Sequence, residues 1–284
     1  MFRKLLKYEW RANAQLFWIL SLAALGVALL GGGAMWGANY ITSHSTSDVA
    51  IALVVPGMYM LTGFCFLALA GYVVAVEIIN LVRFYKNKFT DEGYLTFTLP
   101  VEAKHIYLST FLNILLWMLI STAIMVCCLI IMLSIGMGDT IREWMNMADF
   151  QYIMDMLNVG LTELRDEMAS TPGYGLYTVL IGITVVLSPL YSISMVMGCL
   201  TMGSVLVKKH KILASIGIYY GVSMVSSTLT STLTSFFTLS SIDTGNFFVV
   251  YNCTLALSIL LMLGVIIGGY FLSVHLMKNK LNLP

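Results

Sequence analysis

Apolar residues run along this chain in six long stretches free of Asp, Glu, Lys and Arg: 12–47, 49–76, 105–138, 168–207, 212–242 and 244–277. An α-helix needs about 20 apolar residues to cross the roughly 30 Å hydrocarbon core of a bilayer. Each stretch exceeds that length, and the excess at its ends is polar or glycine-rich. The pattern predicts spans near 17–40, 52–80, 106–136, 174–206, 213–238 and 247–275. It predicts an all-α polytopic integral membrane protein, read as a single transmembrane domain over 1–284.

The connections carry a second pattern. Thirteen of the 15 Lys and Arg lie in alternate connections. Arg3, Lys4, Lys7 and Arg11 precede the first span; Arg83, Lys86, Lys88 and Lys104 join the second to the third. Lys208, Lys209 and Lys211 join the fourth to the fifth, and Lys278 and Lys280 follow the sixth. Only Arg142 and Arg165 fall on the other side. By the positive-inside rule both termini are expected in the cytoplasm, which requires an even number of spans. The charged segment before the first span, without a small-residue cleavage site, does not read as a removable signal.

Composition agrees, at 59% hydrophobic and 10% charged, against about 25% charged in a soluble domain. The net charge of +1 and the lack of a basic patch interleaved with aromatics give no reason to expect nucleic acid. The five cysteines fall inside spans without metal-type spacing and read as reduced packing residues. His44, His105, His210 and His275 are scattered, and no metal site is assigned.

Within the spans, Glu77 is the one ionisable candidate. It reads either as an interfacial group near Arg83 or as part of a pathway or gate. The stretch SMVSSTLTSTLTSFFTLSS, 223–241, holds 12 Ser or Thr in 19 residues. Small hydroxyl residues serve close packing or line a polar path, and Ser227, Thr230, Ser231 and Thr234 are the candidates for the latter. Gly31, Gly32, Gly33, Gly264, Gly268 and Gly269 read as close-packing positions, and Pro56 and Pro189 as sites of a kink. No GxxxxGK[ST] motif occurs and no connection is long enough for an ATPase domain, so ATP-driven work would need a second polypeptide.

Two elements lie outside the spans. Residues 1–16 read as an amphipathic helix in the headgroup plane, with Phe2, Leu5, Leu6 and Trp10 on one side and cations on the others. In 139–173, apolar residues from Ile141 to Met168 recur at helical spacing among acidic ones, predicting one or two amphipathic helices on the outer membrane surface or over an exit. The 208–211 cluster reads as a topogenic charge group with at most a secondary contact.

The most specific stretch is RFYKNKFTDEGYLTFTLPVEAK, 83–104. A basic stem ends at Asp91 and Glu92, Gly93 supplies backbone freedom, and Tyr94, Leu95, Phe97 and Leu99 present apolar groups. Pro100 suits the start of the next helix. Apolar groups held outside the bilayer want a partner surface or the chain's own helix ends. Together with the basic N-terminal segment and six spans, DEGYLTFTLPVEAKHIYLS at 91–109 resembles permease subunits of type-2 ABC exporters, particularly small ones common in Firmicutes.

That resemblance implies a coupling helix in the first cytoplasmic connection. Asp91, Glu92, Gly93, Tyr94, Leu95, Phe97, Leu99 and Pro100 would form or support its contact with an ATP-binding subunit. It further implies two such subunits per complex, a second permease, identical or homologous, and a bacterial plasma membrane. ATP and Mg would be bound by the partner ATPase, leaving this chain without a cofactor or catalytic residue. An ATP-independent transporter or channel, or a noncatalytic membrane sensor or immunity protein, stands as the alternative.

Overall fold

The computed structural model describes residues 2–44, 48–90, 93, 102–146, 148–171, 173–207, 210–241 and 247–279. Seven α-helices account for nearly all of them: α1 Phe2–His44, α2 Asp48–Phe89, α3 Ala103–Asn146, α4 Ala148–Ser170, α5 Tyr174–Leu206, α6 Lys211–Ser241 and α7 Phe247–Asn279. No strand occurs among the described residues. All except α4 are long and apolar enough to cross a bilayer, so the chain is an all-α, multi-pass membrane protein with the expected six spans.

The helices outrun the expected spans. At about 1.5 Å per residue, the 43, 42 and 44 residues of α1, α2 and α3 make rods about 65 Å long, twice the hydrocarbon thickness. Residues 2–16, expected as an interfacial helix, are part of α1. They continue unbroken into the first span, and Trp10 of their apolar side stacks on Trp117 of α3 at 4.6 Å. Pro56 and Pro189 sit inside α2 and α5 without ending them.

The chain forms two compact units. One comprises Arg3–Val82 and Leu116–Asn158. Its core is a seam on α1, where Trp10, Ala14, Phe17, Ser21, Ala24, Ala28, Gly31, Met35 and Ala38 follow at steps of four and three and are buried or half-buried. That 3.5-residue period keeps one stripe of a helix against its neighbours over many turns. Facing it are Cys65, Leu69, Tyr72 and Val76 of α2 and Trp117, Cys128 and Met132 of α3. Because lipid tails are as apolar as Leu, association in a membrane depends on tight contact and interhelical hydrogen bonds. The small residues of α1 supply the first. A Cβ on Gly31 would lie 2.8 Å from Cys65 Cβ and 2.9 Å from Met132 Sδ, and one on Gly32 would lie 3.0 Å from the Met132 carbonyl.

Polar pairs supply the second. Ser21 and Tyr72 hydroxyls meet at 2.9 Å. Tyr59 donates to Asn39 Oδ1 at 2.8 Å, and Asn39 donates to the Gly136 carbonyl at 2.8 Å. Asn13 Nδ2 donates to Asn80 Oδ1 at 3.4 Å. Partner numbers fall along α1 as they rise along α2, as antiparallel helices demand.

The other unit comprises Met1–Phe2, Arg83–Leu115 and Val159–Pro284. Here α5 and α7 approach to backbone contact: a Cβ on Gly198 would lie 3.6 Å from Gly269 Cα, and one on Gly269 only 2.7 Å from Ser194 Oγ. Ser194 donates to the Ile266 carbonyl at 3.3 Å, and Thr201 and Ser273 hydroxyls meet at 3.0 Å. At the opposite end of α5, Gly173 adopts φ 98°, a left-handed conformation suited to glycine, and its carbonyl accepts from Asn252 Nδ2 at 2.9 Å. Gly31, Gly32 and Gly269 are thus close-packing positions, whereas Gly33, Gly264 and Gly268 face open space. All five cysteines are free; Cys65, Cys128 and Cys199 are buried, while Cys127 and Cys253 are exposed on their helices.

Candidate functional site

The stretch singled out by its sequence is held at both ends. On its N-terminal side, the last turns of α2 bury Phe84, Lys88 and Phe89, with the Phe84 and Phe89 rings edge to face at 5.5 Å. The α2 C-terminus leaves carbonyls without partners, and Lys211 Nζ, from the first turn of α6, reaches the Phe89 carbonyl at 3.5 Å. A cation there also complements the helix dipole. Lys211 is therefore more than a topogenic charge: it ties the connection before α6 to the end of α2. Beyond it the chain turns, Gly93 N–H donating to the Thr90 carbonyl at 2.8 Å, and Gly93 is buried.

On the C-terminal side, α3 opens with Glu102 accepting from Lys104 at 2.6 Å. That pairing, with smaller contributions from His105 and Lys278, holds the Glu102 carboxyl below its ordinary range. Both side chains are largely exposed, which makes the pair a weak stabiliser. One turn on, Tyr107 is almost wholly buried, edge to face with Tyr270 of α7 at 5.6 Å. Its hydroxyl faces Ser194 and Ser273 without completing a bond to either. Lys211 thus joins the end of α2 to the start of α6, and Tyr107 joins the start of α3 to α7, so the chain is held on both sides of 91–101.

Of the candidate contact residues, Gly93 lies in the turn after α2; Asp91, Glu92, Tyr94, Leu95, Phe97, Leu99 and Pro100 lie outside the described residues. Glu77 is half-buried on α2, with no ion pair among the described residues. Ser227, Thr230, Ser231 and Thr234 share one side of α6, the two serines exposed and the two threonines half-buried. Each donates to its own helix: Ser227 to Met224, Thr230 to Ser226, Ser231 to Thr228 and Thr234 to Thr230, at 2.7–3.1 Å. Hydroxyls satisfied in this way can face lipid without an unmet donor, and the four do not converge on a common point within the chain.

The segment 139–173 is divided between the end of α3 and α4. Tyr152, Met156, Leu157, Val159 and Leu161 of α4 are exposed, as are Asp155, Glu163 and Asp166. Sequence reasoning passed over Asn13 and Asn80, which meet as a buried pair across α1 and α2, and Trp117, buried against Trp10 and Phe17; asparagines inside apolar stretches were the available signal. No family model, characterised protein or solved structure matches the chain.

Proposed function

We propose that the chain is the membrane-spanning permease subunit of an ATP-driven exporter of the type-2 ABC kind. It would form the substrate path with a second permease, identical or homologous, and couple to two separate ATP-binding subunits in a bacterial plasma membrane, both of its termini cytoplasmic. The observation that carries this reading is the segment 91–101, which bears the family resemblance and springs from a buttressed base. Phe84, Lys88, Phe89 and Gly93 are buried before it, Lys211 caps α2, and Tyr107 anchors α3 after it. A docking segment transmits force only if its flanks are fixed to the spans that must move. In this reading ATP and Mg are bound by the partner, and closure of the ATPases tilts the spans between inward and outward states.

The test is purification of the tagged chain from its native membrane in mild detergent, with mass spectrometry and an ATPase assay. A stoichiometric ATP-binding subunit is expected. Replacing Tyr94, Phe97 and Leu99 together by Ala should release that subunit or abolish stimulated hydrolysis, leaving membrane insertion unchanged. Unaltered complex yield and hydrolysis in the triple variant would remove the coupling role, and recovery of the chain alone in several detergents would remove the exporter reading.

A further inference from the structure

Because α1 runs unbroken from residue 2, the packing of its first span also fixes which side of its basic start faces outward. Lys4, Lys7, Tyr8, Arg11 and Gln15 follow at steps of three and four and are exposed, as are Trp18, Ile19 and Leu22 further along the same side. The opposite side turns inward: Trp10 is half-buried on Trp117, and Asn13 and Phe17 are buried. Glu9, the one acidic residue of α1, lies off the outward stripe and is half-buried. Lys4, Lys7 and Arg11 enter no ion pair among the described residues.

One exposed side of one helix thus changes from cationic to apolar, with Gln15 between. Lys7 and Leu22 are about 22 Å apart along the axis at 1.5 Å per residue. That is the depth of one leaflet with its headgroups, half of about 40–45 Å. Where Trp18, Ile19 and Leu22 face acyl chains, Lys7 and Arg11 stand among the headgroups. Arg grips a phosphate with a planar fork of donors and Lys meets it as a point charge, and the Tyr8 phenol adds a donor at the same level. The first turn of α1 holds Arg3 and Lys4 and no acidic residue. Cations there oppose the helix dipole, and an anion bound beside Lys4 and Lys7 offsets that.

We infer that the outward side of α1 over 4–22 is a binding surface for an anionic phospholipid, its phosphate held by Arg11 and Lys7 beside Tyr8 and its acyl chain laid along Trp18, Ile19 and Leu22. Basic residues just beyond a span attract anionic headgroups, and here the same stripe continues into the surface that takes the chain. A soluble phosphate answers only the cations, and an acidic protein surface answers the cations but not the apolar residues that follow them. A zwitterionic headgroup sets a second positive charge beside its phosphate, which a cationic stripe disfavours. The site is independent of the transport reading: it concerns α1 and the lipid around it.

The full chain, delipidated in detergent and titrated with phosphatidylglycerol or phosphatidylcholine of the same acyl chains, tests it by native mass spectrometry. The wild type should retain phosphatidylglycerol in preference. Lys7→Gln with Arg11→Gln should lower that preference by more than about tenfold, at roughly fivefold per basic residue near an anionic surface, and leave phosphatidylcholine binding as it was. Arg83→Gln with Lys86→Gln, two cations at the end of α2, should leave the preference intact. Equal loss in the two double variants would overturn the assignment to α1, and equal retention of both lipids by the wild type would overturn the inference outright. Glycerol phosphate, a headgroup without chains, should not displace the lipid at equal concentration; displacement would mark a site for soluble anions and sink the proposal. The wild type gives a second reading should the variant fail to insert. Phosphatidylglycerol with a diazirine on its acyl chain should label residues 18–22 on irradiation, and labelling confined to other spans counts against the site.

Discussion

Gly31 and Gly33 stand two residues apart on α1 and meet opposite surroundings. A methyl on Gly31 would press against Cys65 and Met132, whereas one on Gly33 meets nothing within 4 Å. Overpacking a close helix contact costs typically 1–3 kcal/mol, and neither obstructing group is the free end of a long side chain on the open surface. Gly31→Ala should therefore lower the thermal unfolding midpoint in detergent, with a cost on the order of 1–3 kcal/mol. Gly33→Ala should leave it unchanged or slightly raised, in line with the better helix propensity of Ala. Equal midpoints for the two variants would contradict the packing described. The three-glycine run was visible in the sequence, but consecutive residues on a helix point 100° apart and the sequence does not say which direction the bundle lies. The same ambiguity separates Gly269, in contact with Ser194, from its neighbour Gly268.

Among elements, α1 is the organising member of its unit. Its spans and charge pattern were legible because apolar length and loop cations act in one dimension. Its continuity from residue 2 was not: a cationic amphipathic segment carries no sign of whether it joins the span that follows, whereas α1 runs unbroken and Trp10 stacks on Trp117. The seam with α2 escaped for a related reason. A search for ionisable groups passes over Asn, Ser and Tyr, although Ser21 follows the heptad spacing of the small residues that mark the buried stripe. If the Ser21–Tyr72 bond joins the two helices, a double-mutant cycle with Ser21→Ala and Tyr72→Phe should give a coupling of about 0.5–1.5 kcal/mol in chemical denaturation, the usual scale for interhelical bonds in membranes. Strict additivity would show that the hydroxyls merely touch.

For the whole molecule, the decisive arrangement is alternation. Within one unit Asn13 of α1 meets Asn80 of α2. Within the other the end of α2 accompanies the start of α6 through Lys211. The positive-inside expectation puts the cation-bearing connections in the cytoplasm. Membrane-impermeant maleimide applied to intact cells should therefore label Thr162→Cys on exposed α4, and label Asn282→Cys only after permeabilisation. Labelling of both from outside would break the six-span alternation. The run 91–101 is unusual in the sequence, but the fixing of its flank by Lys211 was not legible, because Lys211 meets Phe89 across 122 positions of sequence.

Helix α6 has a mechanical character of its own. From Ser227 to Thr238 its hydroxyls repeatedly donate to carbonyls three or four residues back, among them those of Met224, Ser226, Thr228, Thr230, Ser231 and Thr234. Those carbonyls already hold the helical ladder, and a shared acceptor makes each rung weaker and its turn easier to bend. In the adjoining α5 such hydroxyls are spread from Thr178 to Ser204, whereas in α6 they crowd together, which makes it a compliant strut, able to curve under lateral pressure without breaking a bond outright.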